Sequence, residues 1–167
     1  MIQRNLLIGL LIFALIPTSG AVFAAPARVT ANPVDEDVIR IYAYTVEPLV
    51  TLDEEMPGFL SELAKELIVH AELPVVVQVS PVAILMKYSL IQSVGIAAIG
   101  LETDFTAVEL HDLLPIELIE YRGKSYNLYF NTLNPAAESL YRDALHNLES
   151  AIADGVYAQL SVEYGLE

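Results

Sequence analysis

The chain has 167 residues, 54% of them hydrophobic, with 22 Asp and Glu against 8 Lys and Arg, for a net charge of −14 at pH 7. So acidic a surface repels phosphate backbones, which demand clustered cations, and argues against nucleic acid and anionic lipid as partners. The chain contains no cysteine, which removes disulfides, zinc–thiolate sites and thiol catalysis together.

The first 24 residues read as a secretory signal peptide. Arg4 precedes the apolar run Leu6–Ile16, residues Pro17–Gly20 break it, and Val22-Phe23-Ala24 puts small residues where a signal peptidase cuts. The run is shorter than the roughly 20 residues that span a bilayer. No Cys follows it for lipid attachment. The expectation is cleavage after Ala24, a periplasmic location and no membrane insertion after cleavage. Residues 25–37 show no period and read as a flexible mature N-terminus. Residues 38–167 suit a single domain with its own core.

Val38–Tyr44 is β-branched and aromatic, which predicts a strand. Tyr42 and Tyr44 then share one side of it. Thr45–Met56 reads as loop, with Pro57 suited to the first position of a helix whose face is Phe59, Leu63 and Leu67. Pro74 stops that helix. Val75–Val79 is nearly all apolar, as a strand buried on both faces would be. Ile84, Leu85, Tyr88 and Ile91 give a short helical pattern within Pro81–Gln92, and Val94–Ile99 predicts a third strand. This order implies crossover connections and a mostly parallel sheet with helices on both faces, an α/β fold. Leu101–Leu114 has no clean period. Ile116–Tyr121 and Tyr126–Phe130 read as a hairpin across the Gly-containing link Arg122–Ser125. Asn134, Pro135 and Glu138 then start a helix whose face is Tyr141, Leu145, Leu148 and Ile152. Asp154-Gly155 ends it, and a last helix runs from about Val156 to Tyr164.

Two segments carry a resemblance. Gly58-Phe59-Leu60-Ser61-Glu62-Leu63-Ala64 resembles the Gly-Phe-x-x-Asp-Leu-Ala helix start of family 3 bacterial extracytoplasmic solute-binding proteins, the amino-acid-type receptors of ABC transporters. Asp154-Gly155-Val156-Tyr157, closing on Tyr164-Gly165, is similar to the same family's terminal segment. The resemblance implies a lobe of the periplasmic-binding-protein type II fold, with ligand held at a cleft. The family's two lobes are joined by hinge strands, yet only Tyr121–Ser125 separates the candidate outgoing and returning strands here, so a single lobe is expected. The family's Thr-x-x-Arg stretch, whose Arg grips a ligand carboxylate, has Thr103-Asp104-Phe105-Thr106 as its counterpart. The Arg is missing, and Asp104 has the wrong charge for a carboxylate.

No catalytic constellation assembles from the sequence. His70, His111 and His146 fall on different elements without metal-ligand spacing. Glu66 and His70 form at most a solvated helix pair. Asp53-Glu54-Glu55 lacks a Gly-punctuated calcium loop. No Gly-rich phosphate loop or nucleophile elbow occurs. The expectation is a non-enzyme without cofactor or metal. Open α/β sheets bind ligands beyond the carboxyl ends of their strands. The candidate ligand residues are therefore Tyr44, Glu47, Pro48 and the loop Gly100, Leu101, Glu102 and Thr103. Two functions compete on this reading. One is a solute-binding lobe serving a membrane permease or a sensor. The other is a module that docks another protein or associates with itself.

Overall fold

In the computed structural model the described residues are 38–69 and 73–166. The expected signal peptide, residues 1–24, all of the expected N-terminal segment, residues 25–37, and His70 lie outside them. The described residues all fall within one unit, Ala31–Glu167.

Five strands form one sheet in the order β2-β1-β3-β5-β4. They are β1 (Ile39–Tyr44), β2 (Val75–Ser80), β3 (Ala97–Leu101), β4 (Leu113–Tyr121) and β5 (Lys124–Asn131). β1 pairs in parallel with β2 and with β3, whereas β5 runs antiparallel to both β3 and β4. Four strands thus point one way and β5 opposes them, so the sheet is mixed. The hairpin β4–β5 forms as expected. Its turn residues Arg122 and Gly123 have φ of 51° and 71°. Paired positive φ values match the twist of the flanking strands, which explains so short a link.

The period of two along each strand divides the core in two. Ile39, Ile41 and Ala43 of β1, Ala97 and Ile99 of β3, and Leu128 and Phe130 of β5 share one core with helices α1 (Phe59–Leu67) and α4 (Ala137–Ala153). Helix α5 (Val156–Glu163) packs against this core through Tyr157, whose ring meets Phe59 edge-on at 5.3 Å. On the opposite face Tyr42, Tyr44, Ala98 and Tyr129 pack with Met86 and Leu90 of helix α2 (Ala83–Ile91) and with Phe105. A 3-10 turn, Glu102–Asp104, and a short helix α3, Ala107–Leu110, lead from β3 into β4 on that side. Helices do cover both faces.

Several elements depart from the sequence pattern. β2 is a rim strand, with Val76 46% exposed, and not the doubly buried strand its composition suggested. α1 starts at Phe59, with Gly58 as its N-cap, and not at Pro57. The Gly58 φ of 96° suits glycine alone, and a Cβ there would lie 2.6 Å from the Leu49 carbonyl oxygen. α1 ends at Leu67, ahead of Pro74. The third strand begins at Ala97, because Val94 occupies a turn with φ of 52°. α2 buries Met86 and Leu90, leaving Ile84, Leu85 and Tyr88 exposed. α4 buries Ala137, Leu140, Ala144 and Ala151, while Leu145 and Ile152 face outward. Small residues let α4 approach the sheet closely, so the buried stripe is not the one with the largest side chains. α4 starts at Ala137 with Ala136 as its N-cap, two residues after the start expected at Pro135. Asn134 instead braces the preceding turn by accepting from the Ala136 amide at 3.0 Å. Gly155 ends the helix with φ of 80°, as expected.

Candidate functional site

Because β1 and β3 are adjacent and parallel, their carboxyl ends open at the same rim. Tyr44 closes β1, and Gly100 to Thr103 close β3 and begin the 3-10 turn. The structure brings these two groups together through Asp104. Its carboxylate accepts the Leu101 backbone N–H at 2.8 Å and lies beside the Tyr44 hydroxyl, close enough to perturb it. Burial, followed by the charge of Asp104, holds the Tyr44 phenol well above the ordinary tyrosine range. Gly100 is the residue that lets this happen. A Cβ there would stand 3.0 Å from both the Asp104 carboxylate and the end of Met86, so a side chain would require one or both to give by a few tenths of an ångström.

Around this pair lies a second ring of groups that the sequence reading passed over. Asn127 of β5 stands opposite Gly100 and donates to the Tyr129 hydroxyl at 3.2 Å. The Tyr129 ring meets Phe105 edge-on at 4.8 Å. Burial raises the Tyr129 phenol, as do the charges of Glu102 and Asp104, while the Asn127 hydrogen bond opposes them. Tyr126, opposite Leu101, is raised by burial and by Asp104, and the Arg122 charge opposes this. The signal that could have found these residues is the antiparallel register of β5 on β3, which depends on long-range pairing.

Other expected residues are placed less centrally. Glu47 is exposed, and Pro48, after a cis peptide bond, sits in the tight turn closed by the Val46–Val50 bridge beyond β1. Glu102 and Thr103 are exposed on the 3-10 turn. Thr106, at the position where the resembled family has Arg, caps α3. Its hydroxyl accepts from the Glu109 amide at 3.3 Å, and the Glu109 carboxylate accepts the Thr106 amide at 2.7 Å. Arg122 lies 4.9 Å from the Tyr121 ring centre at the hairpin turn. His111 is exposed beside Asp112, at 3.1 Å. Among the described residues no group of three or more His, Cys, Asp or Glu could hold a metal ion, and no helix is long and apolar enough to cross a membrane.

The surface also carries a groove of about 420 Å³ away from this rim. It is lined by Val75, Val76, Val77 and Val79 of β2, by Ser61 and Lys65 of α1, and by Thr51 to Glu54 and Pro57 of the loop after β1.

No protein-family model and no curated protein matches the chain. Among solved structures it is similar to the GluR0 ligand-binding core from Nostoc punctiforme in complex with L-glutamate. The TM-score is 0.54 at 10% identity, over 75% of this chain and 98% of that one. The fold is therefore like that of this GluR0 core, an α/β architecture with a mixed five-stranded sheet. At this identity the likeness is one of fold.

Proposed function

We propose that the chain is a single solute-binding-like lobe, exported to the periplasm, that weakly takes a small polar solute such as an amino acid, for ABC transport or for sensing. The observation that supports this reading is the Tyr44–Asp104 pair at the carboxyl ends of β1 and β3, on a fold shared with a ligand-binding core. A fixed, hydrogen-bonded carboxylate flanked by phenols offers charge-assisted bonds to an ammonium group. Arg122, at the hairpin turn beside Tyr126, is the cation within this neighbourhood for a carboxylate end. One lobe covers one side of a ligand, so binding is weak beside a site that buries most of the ligand surface. The test is a thermal-shift screen of the processed protein against amino acids and small amines. The expected result is a rise in melting temperature that is lost on Asp104→Asn and on Tyr44→Phe. No response from any compound would overturn the reading.

A second reading, a protein-interaction module, is favoured by the exposed apolar side chains of α2, Ile84, Leu85 and Tyr88. Exposed apolar surface of this kind marks partner sites more often than solute sites.

A further inference from the structure

We propose that the outer edge of β2, with the groove beside it, is a docking site for an extended, Lys- or Arg-bearing peptide segment of a partner protein, added to the sheet as a sixth strand. This site is separate from the Tyr44–Asp104 rim and does not depend on the solute-binding reading.

The edge comes first. The Ile39 amide donates to the Pro74 carbonyl and the Thr45 amide to the Ser80 carbonyl. In a parallel ladder this parity alternates, so the even-numbered residues of β2 face β1 with their backbone groups. The N–H and C=O groups of Val75, Val77 and Val79 then point outward, and among the described residues no strand pairs with that side. The same three valines line the groove, together with Val76. Backbone pairing and side-chain seating are thus offered together, which is how strand addition gains both affinity and specificity.

The groove supplies a second, independent observation. Ser61 is fully buried, lines the groove, and its hydroxyl has no hydrogen-bond partner. An unsatisfied buried hydroxyl is costly to leave unpaired, and a bound peptide would supply the missing bond. Charge selects the occupant. Asp53 and Glu54 line the groove and Glu55 is exposed next to them, while the one lining cation, Lys65, is matched to Glu62 at 2.8 Å. The acidic lip attracts a basic segment. A second copy pairing through β2 would set this lip against its own like in a chain of net charge −14, and is disfavoured.

The test uses the processed full-length protein and the heptapeptide Lys-Thr-Val-Thr-Val-Thr-Lys, followed by residue-resolved amide exchange. Binding is expected to slow exchange of the Val75, Val77 and Val79 amides by roughly tenfold or more, with little change at Val76 and Gln78. Methylating the peptide amides on its pairing side should abolish the effect, while methylating the other side should not. Replacing the terminal Lys by Glu should weaken binding at low salt. Ser61→Ala should fold normally and lower affinity about fivefold, the scale of one hydrogen bond. No slowing at the three valines, or equal binding by the methylated or Glu-ended peptide, would overturn the proposal. So would protection of those amides that rises with protein concentration without peptide, since the occupant would then be a second copy.

Discussion

The two rims of the sheet, β2 and β4, are built from opposite chemistry. β4 carries Pro115, a register shift between Glu117 and Ile119, and exposed Glu117 and Glu120. Each is a known way to blunt an edge: a proline removes a donor, an irregularity bends the strand, and a charge resists burial against a neighbour. β2 reads Val-Val-Val-Gln-Val-Ser, with no charge, no proline and an unbroken register against β1. Exposed strand edges invite pairing, and a chain that guards one rim so thoroughly shows by contrast that the other is open. The apolar composition of β2 thus serves its edge as well as its packing, because only one side of the strand is paired within the described residues.

The largest effect is expected at the loop that walls the β2 groove. Gly58→Ala places a Cβ 2.6 Å from the Leu49 carbonyl oxygen at a φ of 96°. It should cost roughly 3 kcal/mol or more in urea unfolding, because strain and clash add. The matched change on the β4 side is Gly123→Ala. Its φ is 71° but nothing lies within 4 Å, so strain acts alone and about 1 kcal/mol is expected. Similar losses at the two glycines would show that the β2-side loop is not the tightly built wall described here.

A gatekeeper exchange tests the rims directly. Val76→Lys adds a cation at an exposed position of β2 and should leave stability within about 0.5 kcal/mol while weakening strand addition to that edge. Glu117→Val together with Pro115→Val should instead make β4 prone to self-association, seen by light scattering. If the pair of β4 changes leaves scattering unaltered, those residues are not what protects that rim. The smallest effect expected is with pH. Glu109, on α3 just ahead of β4, lies below the ordinary glutamate range, chiefly through the Thr106 backbone hydrogen bond. A carboxylate lowered in the fold contributes stability that is fully present above its unfolded value and is lost as pH falls through the lower folded one, below about pH 4. Glu109 is largely solvent-screened, so the acid-side slope should be shallow, and Thr106→Val should flatten it further.

Local signals located most of what is set locally, although the helix starts expected at Pro57 and Pro135 each fall two residues early. Gly123 in a short polar link gave the hairpin, Gly155 the end of α4, and β-branched runs the strands, although β3 starts three residues later than its apolar run suggests. The alternation that puts Tyr42 and Tyr44 on one side of β1 was legible for the same reason. The face of a helix was not. Ile84, Leu85 and Tyr88 repeat as a core stripe should, but Met86 and Leu90 are buried, since burial is set by what α2 packs against.

Side-chain period, φ preferences and counting were enough to locate the five strands, four of the helices, the hairpin turn and the strongly negative charge, but not the 3-10 turn and α3 within the aperiodic stretch Leu101–Leu114. Tertiary structure alone decided that β5 inserts between β3 and β4, which sets Asn127 opposite Gly100 and Tyr126 opposite Leu101. It likewise decided that an apolar segment, Val75–Ser80, stands at the rim of the sheet. The reason is the same in both cases. Strand order is fixed by pairings between residues far apart in sequence, and a strand that ends a sheet carries the same apolar letters as one at its centre.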